Sequence, residues 1–373
     1  MSDVEIGRGK RAQVAYSLDD VSLVPSRRTR DPQLVSLAWK IDAYTFEHPI
    51  IAAPMDSVVS PQSAGAFGAA GGLAVLNLEG VWTRYADPQP VLDEISKLDP
   101  KSAIRRLQEI YAAPIQPELI TQRIAGMREA GLTVAGSLSP QRTAQFAKQV
   151  VDAGVDIFVI RGTTVSAEHV GDGASGVDGS LNLKEFIYEL DVPVIVGGCA
   201  TYTAALHLMR TGAAGVLVGF GGGASHTTRN VLGVRVPMAS AVADVAAARR
   251  DYLDESGGRY VSVIADGSMG NSGDVAKAIT LGADAVMVGS VFARATDAPG
   301  QGRHWGLEAT HGDLPRGELV ELGTVGSLAE ILNGPSHVAD GTMNLVGALR
   351  RAMATCGYSD LKEFQRCEVV LAP

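Results

Sequence analysis

The sequence predicts a single (β/α)8 barrel. Three observations predict it. A short glycine-centred unit recurs along the chain, eight apolar runs alternate with helix starts, and the fingerprint of the competing open sheet is missing. The recurring unit is a helix-like run that ends in Gly, then a small residue, then a β-branched strand. It reads Glu129-Ala-Gly-Leu-Thr-Val-Ala-Gly136, then Asp152-Ala-Gly-Val-Asp-Ile-Phe-Val-Ile160. It returns as Thr211-Gly-Ala-Ala-Gly-Val-Leu-Val-Gly219 and Leu281-Gly-Ala-Asp-Ala-Val-Met-Val-Gly289. A Gly just past a helix takes the left-handed conformation that ends it. The apolar run that follows suits a strand buried on both faces, as a parallel sheet requires.

In chain order the strand candidates are 50–53, 73–76, 133–135, 157–160, 194–196, 216–218, 261–265 and 285–288. Ser60-Pro61 and Ser139-Pro140 each read as an N-cap followed by Pro at the first helical position. Thr201 and Ser272 read as caps of the helices after the fifth and seventh strands. Strands alternating with helices imply parallel β/α units, and eight of them close into a barrel. A doubly wound open sheet is the alternative, but its Gly-x-Gly-x-x-Gly turn after the first strand is absent. Two segments interrupt the rhythm. Residues 81–130, punctuated by Pro88, Pro90, Pro100, Pro114 and Pro117, read as helical and too short for a regulatory domain. Residues 294–325, rich in Gly and Pro, follow the last strand on the face that carries the site and read as a mobile lid. A helix over 340–356 closes the barrel.

Composition narrows the function. With 373 residues and 46% apolar content the chain has ample material for one large core. Its net charge is −9, and no basic cluster exceeds Arg27-Arg28 with Arg30, which argues against nucleic acid and anionic membranes as partners. No apolar stretch approaches the roughly 20 residues of a membrane span, and residues 1–11 carry no apolar signal core. The three cysteines, Cys199, Cys356 and Cys367, have neither metal-site nor redox spacing, which fits a reducing cytoplasm.

In a barrel the site lies in the loops after the strands. The sixth loop reads Gly219-Phe-Gly-Gly-Gly-Ala-Ser-His-Thr-Thr-Arg229. Consecutive glycines let backbone N–H groups cradle a phosphate; a flexible surface loop is the competing reading. Asp266 ends the seventh strand, where it can accept hydrogen bonds from both hydroxyls of a ribose or cap a helix. Gly289 and Ser290 end the eighth and suit a phosphate nest. Met55, after the first strand, suits either a base contact or the core.

Taken together, these loops resemble the IMP dehydrogenase/GMP reductase family over nearly the whole chain. The resemblance rests on Tyr16-Ser-Leu-Asp-Asp-Val-Ser-Leu-Val-Pro25, Ala53-Pro-Met-Asp-Ser-Val58, Gly221-Gly-Gly-Ala-Ser-His-Thr-Thr-Arg229, Ala265-Asp-Gly267 with Ser272-Gly-Asp-Val-Ala-Lys277, and Met287-Val-Gly-Ser290. It implies a purine-nucleotide site for IMP, XMP or GMP, with Asp266 on the ribose and Gly267, Gly289 and Ser290 on the phosphate. Gly223 and Ser225 would join the substrate contacts, and Met55 would lie near the base. It further implies NAD or NADP as cofactor, potassium held by the carbonyls of Gly221 and Gly223, a homotetramer and a role in GMP metabolism. The 81–130 segment stands where many members carry a regulatory CBS-pair insert.

The pattern breaks at its chemical centre. The family places a nucleophilic cysteine where this chain has His226, while Thr228 matches the threonine two residues on. A thiolate adds to the purine C2 and leaves again readily; an imidazole is better suited to act as a base that activates water. Arg161, in Arg161-Gly-Thr-Thr164, stands where the dehydrogenases have an aspartate near the nicotinamide ribose, so it is the candidate cofactor contact. Ala224 lacks a hydroxyl that the family uses on phosphate, and residues 294–325 contain no Arg-Tyr pair. Arg316 stands where the dehydrogenases have a glutamate on the base. Two readings follow. One is an oxidoreductase in which His226 replaces the thiol function; the other is a catalytically silent paralogue that binds a purine nucleotide as a sensor or oligomer partner.

Overall fold

Glycine punctuation sets the helix ends. Gly131, Gly154, Gly212 and Gly282, the glycines of the recurring unit, all adopt positive φ, between +75° and +118°. Each follows a helix and turns the chain into the next strand. The computed structural model describes residues 3–167, 181–220, 222–312 and 317–372. Eight strands form a closed, fully parallel barrel, a TIM barrel. They are β1 (Ile50–Ala52), β2 (Leu73–Asn77), β3 (Ala135–Leu138), β4 (Ile157–Arg161), β5 (Val194–Cys199), β6 (Gly215–Val218), β7 (Ser262–Asp266) and β8 (Ala285–Val288). β8 closes onto β1 in the register Val286 to Ile50, Met287 to Ile51 and Val288 to Ala52.

The eight strands are those expected, most within one residue of the expected bounds; two, β3 and β5, shift further, and both run through glycines. β3 begins at Ala135 rather than Thr133 and runs through Gly136 to Leu138. A Cβ at Gly136 would lie 2.6 Å from Leu78 Cδ1, so glycine is what lets Leu78 pack onto this strand. β5 continues past Val196 to Cys199. A Cβ at Gly197 would meet Leu217 at 2.5 Å, and one at Gly198 the Gly219 carbonyl, so the paired glycines permit close backbone approach. Read from sequence alone, both glycine runs look like strand ends.

Helix α1 (Pro61–Ala69) starts at Ser60, whose side chain accepts the Ser63 N–H, with Pro at the first turn. Helix α2 (Pro117–Glu129) precedes β3, and α3 (Pro140–Asp152) starts at Ser139, which accepts the Arg142 N–H. Helix α4 (Leu183–Tyr188) precedes β5. Thr201 caps α5 (Tyr202–Arg210), and α6 (Met238–Glu255) packs on it. α7 (Ser272–Thr280) is capped by Asn271, not Ser272: the Asn271 side chain accepts the Asp274 N–H at 3.1 Å, and Ser272 is the first helical residue. α8 (Leu345–Cys356) packs against α7. Residues 81–130 hold three short helices, Val81–Arg84, Gln89–Ile95 and Ala103–Tyr111, before α2.

The hairpin Trp39–Ile41 with Tyr44–Phe46 lies at the N-terminal end of the barrel. Its Ile41 Cδ1 would stand 3.3 Å from a Cβ at Gly215, the first residue of β6. The opposite end carries the site. There the Tyr16–Pro25 motif is pinned to the barrel helices. Tyr16 exchanges hydrogen bonds with Ser240 of α6, and Lys277 of α7 donates to the Leu18 carbonyl at 2.9 Å. Among the described residues no helix is long and apolar enough to cross a membrane.

Candidate active site

Two cavities meet at the C-terminal mouth of the barrel. The smaller, about 360 Å3, is lined by Met55, Gly223, His226, Asp266, Gly267, Gly289 and Ser290, with Ser17 and Asp19 from the N-terminal motif. The larger, about 1060 Å3, runs from His226 and Asp266 past Thr163 to the start of α3 at Ser139 and Pro140. Arg161, Gly222, Gly223, His226, Asp266 and Gly267 border both. The smaller volume falls within the roughly 300–1,000 Å3 of small-molecule pockets. Arg235 and Met238 also line the smaller cavity, and sequence reasoning assigned them nothing.

The residues expected at the site separate into two groups. Met55, Gly223, His226, Asp266, Gly267, Gly289 and Ser290 converge on the smaller cavity. Ser225 and Thr228 line neither cavity; both are buried, and both hydroxyls lack a hydrogen-bond partner among the described residues. Ser225 sits close to the mouth, its Oγ 3.4 Å from where a Cβ on Gly306 would be. Gly221 and Arg316 lie outside the described residues.

His226 is held from two sides. A Cβ on Gly223 would lie 2.7 Å from His226 Cδ2, so the imidazole rests against a bare glycine backbone. Its Nδ1 stands 2.9 Å from Glu308 Oε1. Burial pushes Glu308 up, but the hydrogen bond from His226, its own backbone N–H and the charge of Arg161 outweigh it and hold the carboxyl at about 2. An ionised carboxylate only accepts, so Nδ1 carries a proton toward Glu308, and Nε2 is the ring nitrogen that does not bond Glu308. Glu308 falls within the 294–325 segment, which the sequence marks only as a lid. No local pattern marks it, because its partner is 82 residues away.

A second charge pair crosses the mouth. Arg161 ends β4 and Asp266 ends β7, and Nε donates to Oδ2 at 2.8 Å, with Nη2 3.5 Å from Oδ1. Both side chains are about nine-tenths buried, with 11% and 10% exposure. Burial pushes Arg161 down, and Asp266 and Glu308 more than reverse it, so Arg161 is a fixed cation at the junction. Arg161 is thus first a partner of Asp266, whatever else it contacts. The short bond uses Oδ2, which leaves lone pairs on Oδ1 for a further donor.

The 294–325 segment forms a hairpin, Arg303–Trp305 with Leu319–Glu321, and its inner residues are buried against the mouth. His304 Nδ1 lies 2.9 Å from Ser57 Oγ, and burial together with His226 and Arg161 pushes His304 down to about 3, which keeps it neutral. Trp305 Nε1 donates to Tyr111 Oη at 2.8 Å, and Tyr111 Oη donates to Asp56 Oδ2 at 2.5 Å. Asp56 also accepts from Val81 N and Asn77 Nδ2; burial pushes it up to about 6 against these donors. This chain ties the hairpin that carries Glu308 to the 81–111 helices and to the loop after β1. Tyr111→Phe removes the bridging hydroxyl and leaves Trp305 Nε1 buried without a partner. The expected cost is about 1–3 kcal/mol. A thermal scan should show Tm lower by roughly 2–5 °C; an unchanged Tm would mean the bridge carries no stability.

No thiol reaches the site. Cys199 is buried at the end of β5, its Sγ 3.4 Å from the Leu217 carbonyl, and burial pushes it up to about 12. It lines neither cavity.

A sequence model of the IMP dehydrogenase / GMP reductase domain matches residues 15–306. The chain belongs to the IMP dehydrogenase/GMP reductase family. It is 52% identical to an uncharacterized oxidoreductase of Mycolicibacterium smegmatis, over 97% of this chain and 98% of that one. It is 32% identical to the inosine-5′-monophosphate dehydrogenase of Methanocaldococcus jannaschii, over 77% of this chain and 58% of that one. The crystal structure of an IMP dehydrogenase/GMP reductase-like protein from Corynebacterium glutamicum superposes with a TM-score of 0.93 at 49% identity, covering 99% of this chain and 98% of that chain. This places the chain among oxidoreductases of the IMP dehydrogenase/GMP reductase type.

Proposed function

We propose that this chain is an NAD(P)-dependent oxidoreductase that acts at C2 of a purine nucleoside monophosphate, IMP, XMP or GMP, with His226 as its general base. The observation that carries the reading is the position of His226: it borders both cavities and is oriented by a buried carboxylate. The nucleotide occupies the smaller cavity, with its ribose on Asp266, its phosphate on Gly267, Gly289 and Ser290, and its base toward Met55. Oδ1 of Asp266 takes only the long 3.5 Å contact from Arg161 Nη2, which leaves a lone pair for a ribose hydroxyl beside Arg161. Nε2 of His226 takes a proton from water as the water oxygen adds to C2, and Glu308 stabilises the imidazolium that forms. The larger cavity fits a dinucleotide because it is spacious and opens onto His226, with Thr163 and Arg161 along its inner end. With IMP, a bound oxidised nicotinamide would accept the hydride that leaves C2; with GMP, the reduced form would deliver hydride to C2 as the amino group leaves as ammonia. Potassium on the carbonyls of Gly221 and Gly223 stays part of the reading extended from the family; the Gly223 carbonyl also accepts the His226 N–H at 3.1 Å. Extended from the family, the reading includes a cytoplasmic homotetramer in GMP metabolism.

One observation favours the silent paralogue instead. The carboxylate expected on the ribose is already paired with Arg161. Nicotinamide absorbance over time separates the two readings, with IMP plus NAD or NADP in one arm and GMP plus NADPH or NADH in the other. A rate that falls at least 100-fold in His226→Ala supports the oxidoreductase, as expected for loss of a general base. Flat traces from protein that binds IMP or GMP support the silent paralogue.

A further inference from the structure

His304 lines the smaller cavity, and the proposed chemistry gives it no task. It comes from the Arg303–Trp305 strand of the lid hairpin and is 1% exposed. Its ring is fixed on two sides. Nδ1 stands 2.9 Å from Ser57 Oγ. Cε1 would lie 3.4 Å from a Cβ at Gly289, and Met55 Sδ 3.1 Å from the same point, so the ring and Met55 flank the bare backbone of Gly289 together. The chain continues to Gly306, where a Cβ would meet Met55 Cε at 3.5 Å and Glu308 Oε2 at 2.8 Å. Glu308 in turn holds His226. His304 thus groups with Met55 and His226, at the end of the cavity that takes the base, and the charges of His226 and Arg161 both reach it.

The bond to Ser57 decides which ring nitrogen carries the proton. Ser57 is fully buried, and among the described residues its hydroxyl meets His304 Nδ1 and no other partner. An interior hydroxyl with an unpaired proton is costly. Ser57 therefore donates and Nδ1 accepts. Burial holds the ring neutral, at about 3. A neutral imidazole carries one N–H, and here it sits on Nε2. Among the described residues His304 makes no side-chain hydrogen bond besides the one to Ser57. Nε2–H is thus an unpaired donor at the base end. A donor fixed in this way suits an oxygen and opposes an amino group. O6 of a 6-oxopurine is an acceptor, whereas a 6-amino group presents N–H donors of its own.

We propose that His304 reads the 6-position of the purine, with Nε2–H donating to O6, so that the site takes 6-oxopurine nucleotides and rejects 6-aminopurine ones; Ser57 is the positioning residue that fixes the tautomer. This rests on the reading of the smaller cavity as the purine-nucleotide site. The test is binding: calorimetric titration of full-length protein with IMP, 6-thioinosine 5′-monophosphate and AMP. IMP should bind about 10- to 100-fold tighter than AMP, the range for a donor left unpaired or opposed. The 6-thio analogue keeps N1–H and puts a weaker acceptor in place of the oxygen, so it should fall between them. His304→Leu should lose most of the IMP/AMP ratio. Ser57→Ala keeps the ring and frees Nδ1 to take the proton, so it should lower the same ratio several-fold. A merely structural role would weaken IMP and AMP alike and leave the ratio unchanged. If His304→Leu does not fold, the ligand series and Ser57→Ala carry the test. Equal affinity of the parent for IMP and AMP, or a ratio that these substitutions leave unchanged, overturns the role of His304 while the purine site stands. If no purine nucleotide binds the parent, the smaller cavity is not a purine site and both readings fall together.

Discussion

Glu308→Gln should lower kcat by roughly 100- to 10,000-fold while purine-nucleotide affinity stays within a few-fold of the parent. The carboxylate contributes in two ways. It holds Nδ1–H, which leaves Nε2 as the nitrogen to act as base, and it stabilises the imidazolium after proton transfer. A Gln amide can accept from Nδ1 or donate to it, but it carries no charge, so both the tautomer and the cation lose support. Steady-state rates beside equilibrium titration of IMP or GMP read the two effects apart. Equal losses in kcat and affinity would make Glu308 a structural prop rather than the partner of a base. The same pair gives a pH signature. Glu308 is held at about 2 against an ordinary value of 4.5, so the unfolded chain binds its proton more tightly than the folded one. Its contribution to stability is complete above about 4.5 and is lost as pH falls through about 2. Acid unfolding followed by circular dichroism should therefore show a shallower acid limb in Glu308→Gln than in the parent.

Asp266→Ala should have two separable effects. The first is loss of purine-nucleotide binding by more than about 100-fold, since on the proposed reading the change removes the acceptor for the ribose. The second is destabilisation. Arg161 would be left as a buried cation without its partner, which typically costs about 3–5 kcal/mol. Replacing both members of such a pair by apolar residues is often close to neutral. The double variant Asp266→Ala with Arg161→Met should therefore regain most of the lost stability and none of the lost binding. Chemical denaturation and nucleotide titration on the two variants measure this directly. Binding restored in the double variant would remove Asp266 from the ribose site and leave it as a purely structural partner of Arg161.

The barrel could be read from the sequence because its determinants are local. A left-handed glycine after each helix, a β-branched run and an N-cap with Pro are all set within a few residues. Gly131, Gly154, Gly212 and Gly282 and the caps Ser60, Ser139 and Thr201 adopt the conformations their positions imply. Where local logic failed, tertiary contact had overridden it. Gly136, Gly197 and Gly198 look like strand ends, yet they lie inside strands because Leu78, Leu217 and the Gly219 carbonyl pack against them too closely for a Cβ. At α7, Asn271 and Ser272 are both competent caps, and only backbone geometry chose Asn271.

The site divides along the same line. Barrel topology places strand ends at one mouth, so residues at the ends of β1, β4, β6, β7 and β8 were legible as a constellation before any coordinate was known. His226, Asp266, Gly267, Gly289 and Met55 share a cavity for that reason. What the linear order does not encode is which groups pair with one another across the mouth. Arg161 and Asp266 are 105 residues apart, and His226 and Glu308 are 82 apart. Each pair forms because burial makes a charged or polar group without a partner costly and the partner comes from a different β/α unit. The sequence by itself therefore determined the barrel and the ring of residues at its mouth. Only the tertiary structure decided that His226 is backed by a carboxylate, and that Asp266 is paired with an arginine.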